Sequence, residues 1–451
     1  MTKVLKNAKS VSHCQKELQN CITLPHMSLF KRIFLLCLIC FTLSEARATY
    51  IFIPMDESQP QCLKAYGIAY LALKEGVTVE WLLNYRGGSF VFPDASVFED
   101  ACKIRNVKFE LIADDQEASI IQQISNPEVN MDAVKLEKPP RIAVYSPKNK
   151  LPWDDAVTLA LTYAEIPYDV IYDEEILNGV LPKYDWLHLH HEDFTGQYGK
   201  FWGAYQNASW YQEDVKFQEE MAQKMGFQKV SQMKLAVAKK IRDFVSGGGF
   251  LFAMCSAPDS YDIALSAEGI DICQTPFDGD PADVDCNKKL NYDACFAFKG
   301  FTVDLNPYDY PKSDIDTSPY RVQKYGLNQD NDFFTLFDFS AKWDPVPTML
   351  CQDHTKVIKG FWGQTTAFNE QFLKSSVTIM GENKGANEAK YVHGDYGKGT
   401  WTFYGGHDPE CYQHRVGDPP TDLSLHPNSP GYRLILNNVL FPAAKKKKRE
   451  T

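Results

Sequence analysis

Ser246-Gly-Gly-Gly-Phe-Leu-Phe-Ala-Met-Cys255-Ser-Ala257 joins a triple glycine to an apolar run that ends in a cysteine. The apolar residues 250–254 predict a buried strand, and the pattern over 259–268 predicts a helix soon after it. A strand that turns sharply into a helix lifts one side chain above the edge of the sheet and directs backbone N–H groups toward it. The segment therefore predicts a nucleophile elbow with the thiol of Cys255 at its tip.

A second segment supplies the groups that a cysteine nucleophile needs. Residues 400–404 predict a strand, and the chain continues through two glycines to His407-Asp-Pro-Glu410. Nucleophilic catalysis by a thiol uses a general base and a carboxylate that orients it. We expect His407 to be the base and Glu410 the orienting carboxylate, with Asp408 as the alternative.

The composition indicates a globular protein. The chain has 451 residues, of which 44% are hydrophobic and 23% charged, and this suits two or three domains. The net charge is −11 although both ends of the chain are basic, so the body is strongly acidic. Because phosphate binding requires a concentrated basic face, we expect no nucleic-acid partner and a solvated basic tail over 444–451.

The N-terminal region predicts export. Lys31-Arg32 precedes an apolar run over 33–43, and Ala46-Arg-Ala48 follows it. These parts form a secretory signal over 27–48 with cleavage near Ala48, preceded by a spurious leader. Because the apolar run is short for a bilayer, we expect a periplasmic or secreted protein without a stable membrane anchor. Four of the twelve cysteines precede this cleavage point, so a free Cys255 leaves an odd number to pair.

The remaining chain divides at two prolines. Residues 49–137 predict a small α/β unit, and Pro139-Pro140 interrupts regular structure after it. From 141 to 443, strand and helix patterns alternate, which predicts a parallel sheet with helices on both faces. Residues 271–346 break this alternation with Asp, Pro, Asn and aromatic residues, so we expect an irregular insertion near the site.

The second unit, about residues 141–443, resembles the class I glutamine amidotransferase-like superfamily. Its members typically carry G-x-C-x-G at the elbow and H-x-E near the end, where this chain has Ala253-Met-Cys255-Ser-Ala257 and His407-Asp-Pro-Glu410. The resemblance implies a flavodoxin-like sheet with a cysteine nucleophile and a histidine late in the chain.

Nearly the whole chain also resembles exported bacterial proteins commonly named asparagine synthetase B, partly through Trp186-Leu-His-Leu-His-His-Glu-Asp193. Enzymes of that name resemble a cysteine-first amidotransferase joined to an ATP-using domain with S-G-G-x-D-S. Here Thr2 follows Met1, and Ser246-Gly-Gly-Gly-Phe-Leu251 lacks the Asp and Ser of that loop. ATP therefore has no evident phosphate-binding loop, which disfavours a synthetase.

Further candidate residues surround the elbow. The N–H of Ser256 and a donor from the Gly196 loop are expected to hold the oxyanion. His190, His191 and Glu192 lie at the end of a predicted strand over 186–190, so we expect them to line the pocket. His188 and His190 share a strand face and form an alternative metal pair with Glu192 or Asp193. No third ligand occurs at a regular spacing, so the sequence predicts neither a metal nor a cofactor.

The sequence thus predicts an exported cysteine-dependent hydrolase of an amide or related C–N bond, acting on a small-molecule, peptide or glycan substrate. The alternative is a catalytically silent binding protein for a glycan or peptide, which the altered glycine positions and the aromatic-rich insertion favour. The sequence leaves the substrate and the oligomeric state open.

Overall fold

The computed structural model describes residues 49–148, 154–344, 347–351, 355–415 and 417–444. The predicted leader and signal segment over 1–48 and the basic residues 445–451 lie outside the described residues. The described residues, which begin at Thr49, form one compact unit. Within the described ranges, no helix combines the length and apolar character needed to cross a bilayer.

The N-terminal part forms a five-stranded sheet in which all neighbours are antiparallel, in the order β4-β1-β3-β2-β5. Its strands are β1 Tyr50–Ile53, β2 Val79–Leu83, β3 Ser89–Pro93, β4 Glu110–Ile112 and β5 Asp132–Leu136. Three helices accompany it: α1 Cys62–Lys74, α2 Ser96–Ile104 and α3 Asp114–Ser125. Gly67 lets α1 pack closely, since a Cβ there would lie 1.7 Å from the carbonyl oxygen of Ala164.

A ten-stranded sheet follows, with the path β11-β10-β13-β14-β15-β9-β8-β6-β7 and β12 beside β14. Five strands run parallel: β6 Ile142–Tyr145, β7 Asp169–Ile171, β8 Trp186–Leu189, β9 Phe250–Met254 and β15 Gly399–Tyr404. The others pair antiparallel: β10 Phe333–Leu336, β11 Val357–Lys359, β12 Phe368–Asn369, β13 Thr378–Asn383 and β14 Glu388–Tyr396. The sheet is therefore mixed, and the prediction of a parallel sheet is wrong for half of its strands. An apolar run predicts a buried strand but does not specify the direction of its neighbour.

Helices cover this sheet on both faces. The helices in this part of the chain are α4 Ala156–Tyr163, α5 Asp173–Leu177, α6 Trp202–Tyr205, α7 Ser209–Lys224, α8 Val230–Gly247, α9 Ala257–Ser266, α10 Thr275–Asp278, α11 Cys286–Lys289, α12 Ser318–Tyr325 and α13 Pro430–Leu440. Neighbouring residues of β9 face opposite cores, because side chains alternate along a strand: Phe252 packs with α4 and α13, and Leu251 packs with α8 and α9.

The two sheets share one core. Ile51 and Trp81 of the first sheet belong to the same buried cluster as Val144 and Phe252 of the second. The predicted joint at 137–140 therefore lies between two sheets that are packed through a common interior. The predicted insertion holds α10, α11 and α12, and its strand β10 extends the second sheet.

A buried ionic network fixes the insertion to the sheet. Arg321 of α12 donates to Asp332 at 2.8 Å and to Glu388 of β14 at 2.7 Å, and all three side chains are almost fully buried. Its guanidinium also lies 5.8 Å from the ring centre of Trp362. The network therefore supports the segment that contains Trp362.

Replacing Arg321 with methionine should lower the free energy of unfolding by about 3–5 kcal/mol, because two carboxylates would stay buried without their cation. Urea unfolding followed by circular dichroism measures this. The matched control is Lys103→Met, which removes an exposed pair with Glu99 and should cost less than about 1 kcal/mol. Equal losses in the two variants would show that the network contributes no more than a surface ion pair.

Candidate active site

Cys255 occupies the sharp turn between β9 and α9. Its φ is +52°, in the left-handed region that non-glycine residues seldom adopt. Hydrogen bonds hold the backbone there: the Cys255 N–H donates to the Gly406 carbonyl at 3.1 Å, and the Ala257 N–H donates to the His190 carbonyl at 3.1 Å. The sharp strand-to-helix turn predicted from the sequence is present, with its strained residue at the cysteine.

Three neighbouring parallel strands bring imidazoles to this thiol. His190 follows β8, Cys255 follows β9 and His407 follows β15, and these strands are paired in the sheet. Carboxyl ends of parallel strands meet at one edge, where α/β proteins bind ligands. A ring nitrogen from each of His190, His191 and His407 lies within 4.8 Å of the others and of Cys255 Sγ. Cys255 is 6% exposed and His407 5%, while His191 reaches solvent.

Asp155 orients one of these imidazoles. It caps α4, accepting hydrogen bonds from the N–H groups of Val157 at 2.7 Å and Thr158 at 3.0 Å. Its Oδ2 also lies 2.9 Å from Nε2 of His188 and 3.0 Å from Nδ1 of His190. Asp155 is not predicted as a site residue from the sequence, because an aspartate before a helix indicates only a helix cap.

Asp154, its neighbour, faces the other histidines. Its Oδ1 lies 3.3 Å from Nε2 of His191, and its Oδ2 lies 3.6 Å from Nε2 of His407 and 3.1 Å from Nε2 of His414. His414 was also missed from the sequence, where it stands alone among polar residues. A carboxylate that lies just before α4 is therefore within ion-pair distance of three imidazoles from two other loops.

This arrangement corrects the predicted orienting carboxylate. Glu410 pairs with Nδ1 of His426 at 3.1 Å, and Asp408 accepts the Glu410 N–H at 2.9 Å. In the part of the chain that the structure describes, the carboxylate within ion-pair distance of His407 is Asp154. Asp408 and Glu410 point away from His407 because the chain forms a tight turn there. The backbone N–H of Cys411 donates to the Asp408 carbonyl in this turn.

The electrostatics of the site favour a thiolate. Burial alone raises the pKa of the Cys255 thiol, but the imidazoles of His190, His191 and His407 outweigh it and hold the pKa well below its usual range. Burial lowers the pKa of His191, yet the Asp154 carboxylate and the thiolate outweigh it and raise the pKa well above the usual value. For His407 burial dominates and the pKa is lowered. These opposite shifts favour a thiolate at Cys255 and the charged form of His191, and they favour the neutral form of His407.

The loop between β11 and β12 reaches the sulfur. The backbone N–H of Gln364 donates to Cys255 Sγ at 3.4 Å, and its side-chain amide donates to the Gly199 carbonyl. Close packing places this loop: a Cβ on Gly405 would lie 2.6 Å from the carbonyl oxygen of Thr366. Gln364 is not predicted as a site residue from the sequence, because every residue except proline has a backbone N–H and no local pattern indicates which one will donate to the site.

The predicted donors have different surroundings. Ser256 is the N-cap residue of α9, and its hydroxyl donates to the His190 carbonyl at 3.4 Å. Gly196 instead packs on α8, where a Cβ would lie 2.7 Å from Ser231. The donor that the structure places at the sulfur is therefore the N–H of Gln364 rather than one from Gly196.

Glu192 and Asp193 do not complete a metal pair with His188 and His190. Glu192 accepts a hydrogen bond from the Tyr172 hydroxyl at 3.1 Å, and burial raises its pKa to about 7. Asp193 accepts the Gly199 N–H at 2.8 Å. The carboxylate that lies beside both His188 and His190 is Asp155. The prediction of Glu192 or Asp193 as the acidic partner of this pair is therefore wrong.

Asp316 supports the loop that contains Gln364, accepting the Thr366 N–H at 3.1 Å. Burial raises its pKa to about 7 despite hydrogen bonds from Ser318 and Thr366. Between about pH 4 and pH 7 the folded chain therefore keeps a proton that the unfolded chain loses. The free energy of unfolding consequently falls as pH rises through this window and levels off above it.

Asp316→Asn should remove this pH dependence. Between pH 5 and pH 8 the wild type should lose ~2–3 kcal/mol more stability than the variant, as judged from urea unfolding at each pH. Asp338→Asn, at an exposed carboxylate paired with Lys356, should retain the wild-type slope. Parallel pH profiles for wild type and Asp316→Asn would contradict the assignment.

No protein-family model matches this chain, and no curated protein matches it. Among solved structures, the chain is similar to the cytoplasmic protein STM3548 from Salmonella typhimurium at 9% identity, with a TM-score of 0.31 over 68% of this chain and 100% of that one. It is also similar to the cytoplasmic protein STM1381 from Salmonella typhimurium LT2 at 12% identity, with a TM-score of 0.30 over 67% of this chain and 99% of that one. Gan42B, a GH42 beta-galactosidase from G. stearothermophilus, matches at 13% identity and a TM-score of 0.26, over 60% of this chain and 28% of that one. These scores are too low to assign a fold or a function.

Proposed function

We propose that this chain is a cysteine-dependent hydrolase of an amide or related C–N bond, with Cys255 as nucleophile and His407 as general base. One observation carries the proposal: a cysteine at a strained elbow lies among three imidazoles, two of which face Asp154. Structural cysteines are inert in apolar surroundings, whereas reactive ones lie beside cationic groups.

The first half-reaction breaks the C–N bond. The Cys255 thiolate attacks the carbonyl carbon, and the π electrons of the carbonyl move onto its oxygen, which the N–H groups of Gln364 and Ser256 can stabilise. When the carbonyl re-forms, the C–N bond breaks and the His191 imidazolium gives its proton to the leaving nitrogen. The products of this step are a thioester on Cys255 and a free amine or ammonia.

The second half-reaction restores the thiolate. Water attacks the thioester carbon and gives one proton to the neutral imidazole of His407. The C–S bond then breaks, the carboxylic acid leaves, and the electron pair stays on Cys255 Sγ. His407 then gives its proton to water, and His191, which reaches solvent, takes one up, so the starting protonation states are restored. One water is consumed for each C–N bond broken.

The order of the parallel strands supports the proposed fold family. Numbered along the chain, β6, β7, β8, β9 and β15 lie in the order 2-1-3-4-5, which is typical of flavodoxin-like sheets. We propose that residues 141–443 form a domain like the class I glutamine amidotransferases, exported after signal cleavage. The small-molecule, peptide or glycan substrate would enter from the side where Asp154 and His191 reach solvent.

A catalytically silent binding protein is the second candidate, favoured by an aromatic cluster beside the insertion. The ring centres of Trp202 and Tyr308 lie 5.1 Å apart, and those of Phe201 and Tyr310 lie 5.9 Å apart. Tyr308 is 69% exposed. Exposed aromatic faces of this kind suit a glycan or a peptide side chain.

Thiol reactivity separates these candidates. In chelator-treated protein, iodoacetamide should alkylate Cys255 at pH 7 about 10–100-fold faster than Cys411, because burial raises the pKa of the latter thiol. Mass spectrometry of the peptides measures both rates in one sample. His407→Ala should slow the alkylation of Cys255 about tenfold and leave the alkylation rate of Cys411 unchanged. Equal rates for the two thiols would favour the silent binding protein.

Ammonia release tests the reaction itself. The purified chain is incubated with glutamine, asparagine and simple primary amides, and ammonia is measured over time. We expect release from at least one amide in the wild type and none above background in Cys255→Ala. No release from any of these amides, together with slow alkylation, would contradict a hydrolase of simple amides.

A further inference from the structure

We infer that Cys255, His190, His191 and His407, called the Cys-His cluster below, also bind one Zn²⁺ ion, and that the bound ion silences the thiol. The four donor atoms lie within 4.8 Å of one another. In a tetrahedral zinc site with Zn–S near 2.3 Å and Zn–N near 2.0–2.1 Å, neighbouring donors are separated by about 3.3–3.7 Å. Closure of the cluster onto an ion therefore needs only small side-chain rotations.

The surroundings of the Cys-His cluster have the form of a metal site. Histidine ligands of metals usually direct their second ring nitrogen at a carboxylate, which fixes the ring and increases its basicity. Asp155 lies 3.0 Å from Nδ1 of His190, and Asp154 lies 3.3 Å from Nε2 of His191. The other nitrogen of each ring remains for the ion. With the thiolate, these carboxylates also offset the charge of a divalent cation that is held out of water.

The donor set selects the ion. One sulfur and three imidazole nitrogens suit a borderline-soft cation such as Zn²⁺, whereas Mg²⁺ and Ca²⁺ require oxygen ligands. Four side chains complete a tetrahedron and leave no position for water. An ion here would therefore occupy the site without activating a hydroxide, unlike a catalytic zinc, which keeps an open position.

Zinc binding and acyl transfer exclude each other. The lone pair with which Cys255 attacks a carbonyl is the pair that a bound ion would share, and the imidazoles that move protons would also be coordinated. Binding of the ion follows from the arrangement of the four donors alone. The effect of the bound ion on turnover rests on the proposed function. The protein would then be a hydrolase that zinc reversibly inhibits.

The experiment uses Co²⁺ and Zn²⁺ with the purified, chelator-treated chain. Cobalt should give a thiolate-to-metal charge-transfer absorption that saturates at one ion per chain, and Zn²⁺ should displace it. Zinc should also protect Cys255 from iodoacetamide, slowing alkylation at least tenfold, while Mg²⁺ should have no effect. Cys255→Ala should abolish the charge-transfer band, and His191→Ala, at the partly exposed ligand, should weaken binding about 100-fold.

Cys411→Ala is the matched control and should retain the band and its stoichiometry. Absence of cobalt binding to folded wild type would overturn the inference. So would binding without a thiolate band, which would place the ion among Asp154, His407 and His414 instead. The charge-transfer band and the protection from iodoacetamide are measured without substrate. Failure to release ammonia would therefore reject the proposed hydrolase but not the metal site. Ammonia release that zinc does not inhibit would reject the site and leave the hydrolase.

Discussion

Cys255→Ala should lower the turnover of a hydrolysed amide by about 10⁴-fold or more, while the fold stays intact. Loss of a catalytic nucleophile removes covalent catalysis altogether and leaves only binding and oxyanion stabilisation. Alanine suits the site, because the cysteine is buried and its backbone contacts to Gly406 do not involve the side chain. Ammonia release at saturating amide measures turnover, and circular dichroism with thermal unfolding measures the fold.

Cys255→Ser is the conservative companion of this variant. A serine hydroxyl has the shape of the thiol but stays protonated among the same imidazoles, so its turnover should be nearly as low as that of the alanine variant. Cys411→Ala should keep full activity, which controls for the loss of a thiol elsewhere. If Cys255→Ser or Cys255→Ala retained more than a tenth of wild-type turnover, Cys255 would not be the nucleophile.

Asp154→Asn should reduce kcat about 10³-fold with little change in KM. Without the carboxylate, the pKa of His191 falls, the imidazolium that supports the thiolate is lost, and His407 loses its orienting partner. Replacement of the orienting carboxylate in other nucleophile–histidine sites has an effect near 10⁴-fold, and the longer 3.6 Å contact here argues for a somewhat smaller one. Steady-state kinetics of ammonia release measure both constants.

Glu410→Gln is the control that decides between the carboxylates. The sequence predicts Glu410 as the orienting residue, but its carboxylate faces His426. Its replacement should change kcat by less than about threefold. Because only a change at the thiol moves iodoacetamide reactivity, Asp154→Asn should also slow alkylation of Cys255, whereas Glu410→Gln should not. If Glu410→Gln lowered kcat and the alkylation rate of Cys255 more than Asp154→Asn did, Glu410 would be the orienting carboxylate.

Several predictions from the sequence agree with the structure at the level of single elements. The predicted strand over 250–254 is β9, and that over 400–404 is β15 without its first residue. The predicted strand over 186–190 ends one residue earlier, so His190 begins the loop. Cys255, His190, His191 and His407 lie close together at the ends of these strands. Each prediction rests on an apolar run followed by a polar residue, which is a local signal.

The residues that escaped prediction share a different property. Asp154 and Asp155 lie far from Cys255 in sequence and reach the site only because β6 lies beside β8 in the sheet. Gln364 contributes a backbone N–H, which any residue possesses. The sequence around His414 contains no motif that predicts a role for its side chain. Their roles depend on strand order and loop packing, and periodicity contains no information about either.

The positions at which β8, β9 and β15 end can be predicted from the sequence, because an apolar run and the turn after it are adjacent along the chain. Which carboxylate faces which imidazole follows from the fold instead. That choice depends on the alignment of strand ends across the sheet, and there Asp154 reaches His407 at 3.6 Å while Glu410, three residues from His407, turns to His426.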